Sequence, residues 1–196
     1  MKTILQLPLI LVSIGILATA CTTKPESEPE RTVKLVEKKQ IRAIGVAIQT
    51  SFAEDRQARE VPPFFHKIWE SKILDAIPGR LNQNHLCVFV MNPQSPDFTY
   101  FMGVEVDTNA AVPTGFIEMI LPPQEYAAME IQKRGNSDVK DGFGFLMENW
   151  IPKANYQAAP APAFIYYDER FTRIFEADGY AGSPPATLFA PILPKP

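Results

Sequence analysis

The stretch Ala163-Phe164-Ile165-Tyr166-Tyr167-Asp168-Glu169-Arg170-Phe171 carries five apolar or aromatic residues and then three charges in a row. Such a run, rich in aromatic side chains and cut off by acidic ones, predicts a strand over residues 163–168. A second strand is predicted over residues 186–193, and 17 residues, 169–185, separate the two. That connection is too long for a plain hairpin and is expected to form a lid or an irregular flap.

Upstream of this pair the same order of elements is read twice. Residues 33–51 are rich in β-branched side chains and end in the extended segment 44–50. A helix is expected next, with Pro62 and Pro63 suited to its first turn. Phe65, Ile68, Trp69 and Ile73 recur at helical spacing, and Pro78-Gly79 closes the segment. Strands follow over residues 86–91 and 98–106, joined by the turn-forming Asn92-Pro93-Gln94-Ser95-Pro96-Asp97. In the second of these, Phe98, Tyr100, Met102, Val104 and Val106 share one face and Thr99, Phe101, Gly103 and Glu105 the other. A connecting strand over 115–121 leads to the next unit, a strand over 125–132 and a helix capped near Asn136-Ser137. Asp138 and Asp141 suit the positive end of that helix, Phe143, Leu146 and Trp150 share its face, and Pro152 ends it. The strands 163–168 and 186–193 complete the order. The fold class is therefore α+β, with β-α-β-β repeated around a connecting strand. The pairs Phe65/Trp69 and Leu146/Trp150 match at i,i+4 on the two helices.

Composition narrows the class of function. With 196 residues, 46 % hydrophobic and 21 % charged, the chain reads as one soluble globular domain. A formal charge of −3 lacks the basic excess of a nucleic-acid binder, so no nucleic acid is expected as partner. Two cysteines exclude a disulfide scaffold and a zinc site made of cysteines alone. Nineteen prolines predict few, well-bounded helices.

Residues 1–20 read as an export signal, with Lys2, an apolar run over 4–17 and small residues Ala18-Thr19-Ala20 before Cys21. A cysteine directly after such a run resembles the lipobox of bacterial lipoproteins, in which it is acylated. Ala18 stands where that family prefers leucine, and Ala18-Thr19-Ala20 also suits an ordinary A-x-A cleavage site, so secretion without lipid is the alternative. Thr22 in place of aspartate points, by analogy with enterobacterial sorting, to the outer membrane. The expected location is the cell envelope, lipid-anchored through Cys21 on the periplasmic side. Residues 21–32 hold no hydrophobic residue after Cys21 and form a tether, which leaves 33–196 as the domain.

Motif searches are mostly negative. There is no G-x-x-x-x-G-K, G-x-G-x-x-G, H-E-x-x-H or C-x-x-C, and no G-x-S-x-G. No cofactor and no metal are expected. His66 and His85 read as surface or helix-end histidines, and Cys87, inside Leu86-Cys87-Val88-Phe89-Val90-Met91, as a buried small hydrophobe.

The stretch 163–171, followed by Leu188-Phe189-Ala190-Pro191-Ile192, resembles the end of GyrI-like domains, also called AraC-type effector-binding domains of bacteria. The helix with Trp69, the strand from Tyr100 to Glu105, and Trp150-Ile151-Pro152 with Tyr156 match as well, so the likeness spans about 33–194. It implies two β-α-β-β half-units forming a curved, barrel-like antiparallel sheet with two helices. It also implies a cleft between the halves that takes small, aromatic and often cationic molecules. The ligand-binding residues it points to are Trp69, Tyr100, Glu105, Trp150, Phe164 and Tyr167. In the family pattern Phe-Glu-x-Tyr-Asp the glutamate position holds Ile165, while Phe164, Tyr167 and Asp168 match. Glu105 and Glu118, within apolar strands, either replace that carboxylate or face solvent.

The function expected from this resemblance is non-catalytic binding of a small apolar or aromatic molecule. A hydrolase of small electrophiles is the alternative, and it would need Glu105, Glu118 or Glu130 in the cleft as base. A haem carrier like the SOUL proteins is the third, with His66 and His85 as the imidazoles on offer.

Overall fold

In the computed structural model, which describes residues 31–196, the β-branched and alternating runs become nine strands in one antiparallel sheet. These are β1 (Val33–Lys38), β2 (Ile41–Ser51), β3 (His85–Met91), β4 (Asp97–Glu105), β5 (Ile117–Leu121), β6 (Gln124–Gln132), β7 (Tyr156–Ala158), β8 (Ala163–Tyr167) and β9 (Pro185–Pro194). The export signal, Cys21 and nearly all of the tether lie outside the described residues.

The sheet order is β1-β6-β9-β8-β3-β4-β2-β5, with β7 added alongside β9. The trio β6-β9-β8 mirrors the trio β2-β4-β3, and the two halves join where β3 pairs with β8, Cys87 opposite Ile165. The repeat is one strand longer than expected. Residues 33–51 break into β1 and β2, and β5, read above as a connector, is the counterpart of β1. Each of these extra strands pairs with the other half, β1 on β6 and β5 on β2.

That exchange curls the sheet. Residues 39–40 link β1 to β2, and Pro122-Pro123 link β5 to β6, although the linked strands stand near opposite ends of the sheet order. Two residues span at most about 11 Å, whereas a flat sheet would hold β1 and β2 about 29 Å apart. The edges must therefore swing together, which gives the barrel-like curvature. The buried side chains agree. Leu86, Val88, Phe101, Phe164 and Phe189 form a core to which no helix of the described residues contributes, so among these residues the sheet itself covers them.

The opposite face is covered by helices. Phe98, Tyr100, Met102, Val104 and Val106 all lie in this second core, while Phe101 lies in the first, as their alternation predicted. α1 (Arg56–Ser71) begins earlier than expected, so Pro62 and Pro63 fall inside it. Arg56 to Glu60 are good helix formers joined by an i,i+4 ion pair at 3.2 Å. The prolines free only the carbonyls of Ala58 and Arg59, both exposed residues that water can satisfy. α1 ends at Lys72, in the left-handed conformation, rather than at Pro78-Gly79.

α2 (Asn136–Gly144) runs on through a π turn (Phe145–Trp150) into α3 (Ile151–Lys153), with Pro152 inside the last turn. Gly142 lets α2 lie close to the sheet, because a Cβ there would strike the Leu188 side chain and crowd Ile131. The expected lid is instead a helix, α4 (Glu169–Asp178), followed by the 3-10 turn Gly179–Gly182. Asp168 starts it, accepting from the backbone N–H of Arg170 at 2.8 Å and of Phe171 at 3.2 Å. Phe171 is buried under it.

Candidate functional site: an aromatic cleft between the half-units

The helices α1 and α2 come from different halves, and between them lies a cleft of about 1230 Å³. Val61 and Phe65 of α1 form one wall, and Val139 and Phe143 of α2 with Met147 form the other. The floor is sheet: Phe89 of β3, Phe98 and Tyr100 of β4, and Ala163, Ile165 and Tyr167 of β8. Tyr100 meets Phe89 edge-on at 5.4 Å, Phe89 meets Phe143 at 5.7 Å, and Phe65 leans on Tyr167 at 5.5 Å. Rings from both walls and the floor thus converge on one concave surface, as in sites for small molecules.

Polar groups on the floor are held neutral. The Tyr100 hydroxyl donates to the Cys87 thiol at 3.0 Å. Complete burial pushes the Cys87 thiol up to about 12 and the Tyr100 and Tyr167 phenols well above their usual range. Cys87 is therefore a packed thiol, not a nucleophile. Among the described lining residues three carry charge: Asp55 and Lys140, both exposed, and Lys133, buried at 2 % exposure. The Lys133 ammonium stands 4.7 Å from the Phe65 ring centre and 4.1 Å from that of Tyr180, and donates to the Tyr180 hydroxyl at 2.6 Å. Burial lowers its pKa to about 8.

Residues 34–182 match the family model of Cass2, the integron-associated effector binding protein. The chain belongs to this family. Three solved structures share the fold. SAV2435, solved bound to tetraphenylphosphonium, is 14 % identical over 83 % of this chain and 94 % of that one, with a TM-score of 0.64. A putative bacterial transcription regulation protein from Staphylococcus aureus MU50 is 14 % identical over 82 % of this chain and 97 % of its own, with a TM-score of 0.60. The integron cassette protein VCH_CASS2, from the mobile metagenome of Vibrio cholerae, is 11 % identical over 82 % and 95 %, with a TM-score of 0.53. At these identities the likeness is one of fold. No protein of curated function matches the chain.

In this Cass2-family domain the expected ligand-binding residues are not all gathered in one place. Tyr100 and Tyr167 line the cleft. Trp69 stands behind Phe65, stacked on it at 5.5 Å, and lines a separate groove of about 610 Å³ between α1 and α4. Phe164 points the other way, stacked on Phe189 at 4.5 Å in the core of the uncovered face. Glu105 also lies on that face, accepting from the Tyr166 hydroxyl at 2.9 Å and from Asn82 at 3.2 Å. Period-two alternation is the reason: Tyr166 and Phe164 are one residue out of phase with Ile165 and Tyr167. Trp150 packs on Tyr156 at 6.3 Å, away from the cleft lining.

Two further carboxylates considered as bases are engaged elsewhere, Glu118 with Arg42 at 2.6 Å and Glu130 with Arg170 at 2.7 Å. Among the described lining residues, the carboxylate is that of Asp55 alone. His85 is not at a helix end but opens β3, with its ring 4.7 Å from Trp69 and its pKa lowered to about 4 by burial and by Arg80. It lines the α1–α4 groove, and His66 packs on Phe175. Among the described residues, no group of three His, Cys, Asp or Glu side chains is placed to hold a metal ion.

The residues that sequence patterning passed over are Lys133 and Tyr180. One signal existed. Ala127, Met129 and Ile131 occupy the helix-covered face, and Lys133 continues their alternation by two residues. Tyr180 carried no comparable signal, because its position depends on α4 having formed.

Proposed function

We propose that the chain is a small-molecule effector-binding domain that takes an apolar, aromatic ligand into the cleft between α1 and α2 and holds it without chemistry. The observation that carries this is the cleft itself. It is large enough for a drug-sized molecule, and its walls are mostly rings and aliphatic side chains. Each well-placed ring contact adds about 0.5–1.5 kcal/mol beyond the area it buries. SAV2435, of the same fold, was solved bound to tetraphenylphosphonium, an aromatic cation, and this supports an aromatic ligand for the present chain.

A thermal-shift screen of the purified protein against aromatic compounds of both charges and of none is the direct test. Binders should raise the melting temperature, and Phe143→Ala should weaken them. A broad panel without a single stabilising compound would sink the reading.

The proposal extends to the cell envelope, with the domain carried as a lipoprotein on the periplasmic side. Its support is the sequence alone: the export signal over residues 1–20, with Cys21 directly after it. Labelled fatty acid should be incorporated by the wild-type chain and not by Cys21→Ser. Incorporation unchanged in the variant would count against the anchor.

A further inference from the structure

Lys133 places a buried positive charge in the lining of the cleft. This inference rests on the cleft being a ligand site and adds the chemical class of what enters it. Lys133 is the buried cation of the lining, and among the described residues no carboxylate lies within ion-pair distance of it. Asp138, the acid of α2 on this side, is occupied with the backbone N–H groups of Arg134 at 2.7 Å and Gly135 at 2.8 Å. The groups in contact with the ammonium are neutral, the rings of Phe65, Tyr167 and Tyr180, while the Asp138 charge reaches it only through space and, with the Cys87 thiol, offsets part of the burial.

An ammonium has three N–H donors, and a single conventional acceptor, the Tyr180 hydroxyl, is present among the described residues. Burying such a group is costly unless it is paired, and aromatic faces offset only part of that cost. The free donors therefore favour an acceptor supplied from the cleft. Ile165, on the floor, is apolar and brings no carboxylate. A carboxylate at that place would welcome a cation, while the apolar Ile165 leaves the local field to Lys133. Asn136 and Ser137, at the N-terminal end of α2, line the same cleft.

We propose that Lys133 is the anion-recognising group of the cleft, and that the ligand is an aromatic molecule bearing an acidic head of the carboxylate class. Its rings lie among Phe65, Phe89 and Phe143, and its carboxylate accepts from the Lys133 ammonium. The burial that lowers Lys133 to about 8 still leaves it mainly protonated at neutral pH. Charge complementarity here inverts the preference for cations that the family resemblance implies.

The test uses three naphthalene probes of one shape: 2-naphthoate, the neutral 2-naphthamide and the cationic 2-naphthylmethylammonium. Calorimetric titration of the purified protein at pH 7 and low salt should find naphthoate bound at least about tenfold more tightly than the amide, the gain expected of a charge-assisted hydrogen bond. Lys133→Met should abolish that preference, and Lys133→Arg should retain it. If the Met variant does not fold, the wild-type ratio and the Arg variant decide. The inference is overturned if the amide or the cation binds as tightly as naphthoate, or if Lys133→Met keeps the preference. It is also overturned if only neutral or cationic aromatics bind, and the cleft reading then stands. If no aromatic compound of any charge binds the folded wild type, the cleft reading falls with it.

Discussion

Lys133 also leaves a mark on the empty protein, because a desolvated ammonium opposes folding. Its pKa falls from 10.5 to about 8 on folding, so the unfolded chain holds the proton more tightly. Below pH 8 both states are protonated and the full cost, about 3 kcal/mol, is present. As pH rises from 8 towards 10.5 the folded chain gives up the proton first, and the cost disappears. Lys133→Met, close in volume, should therefore be more stable than wild type at pH 7, and its advantage should shrink by about 2 kcal/mol by pH 10. Urea unfolding of both chains at the two pH values measures this. The Tyr100 and Tyr167 ionisations, which act in the opposite direction at high pH, are common to both chains and cancel in the difference, and losing the Lys133 charge only pushes the buried Cys87 thiol further up. An advantage constant with pH would show that Lys133 is not desolvated. A lysine beside Arg134 at the head of a helix reads by residue type as a solvated charge. Only its phase with Met129 and Ile131 set it on the buried face.

Among the elements, α4 shows where length misled and chemistry would have sufficed. Seventeen residues between two strands suggested a flap, yet Asp168 is a ready N-cap, and Phe171, Ile174 and Phe175 follow at helical spacing. Asp168→Ala removes the acceptor for the Arg170 and Phe171 amides and should cost about 1 kcal/mol, with Asp168→Asn keeping most of it. Thermal unfolding of the two variants compares them directly. Equal losses would assign the effect to the Asp168–Arg170 ion pair at 2.7 Å instead of the cap. α4 matters to the cleft because Tyr180, in the turn that follows it, clasps the Lys133 ammonium. α1 taught the converse lesson. Pro62 and Pro63 looked like a start signal, but propensity and the Arg56–Glu60 pair carried the helix back to Arg56, where exposed carbonyls tolerate the prolines.

At the scale of the whole molecule, the pairing of β3 with β8 joins the halves, while β1, β5 and β7 lie at the margins. Amide exchange followed by mass spectrometry should be slowest in β3, β4 and β8, flanked by the two cores, and fastest in β1, β5 and β7. Uniform protection across the sheet would contradict this layout. The alternation of residues 98–106, the two helices and the doubled order of elements were legible in the sequence, because periodicity is a local property of the chain. The likeness of residues 163–171 to effector-binding domains named the family's fold in advance. Which strand pairs with which was not legible. Partners such as β1 and β6, or Cys87 and Ile165, are chosen by side chains distant in sequence that must share one core. The candidate site divides in the same way. The aromatic content and the apolar Ile165 were written in the sequence. Alternation already set Tyr100 apart from Glu105 and Tyr167 apart from Phe164, but tertiary packing decided which of the two faces lines the cleft, and that Lys133 is buried against rings with no carboxylate of the described residues in contact. A residue's identity fixes the chemistry it can offer, but its neighbours in space fix the dielectric and the partners, and these determine what that chemistry does.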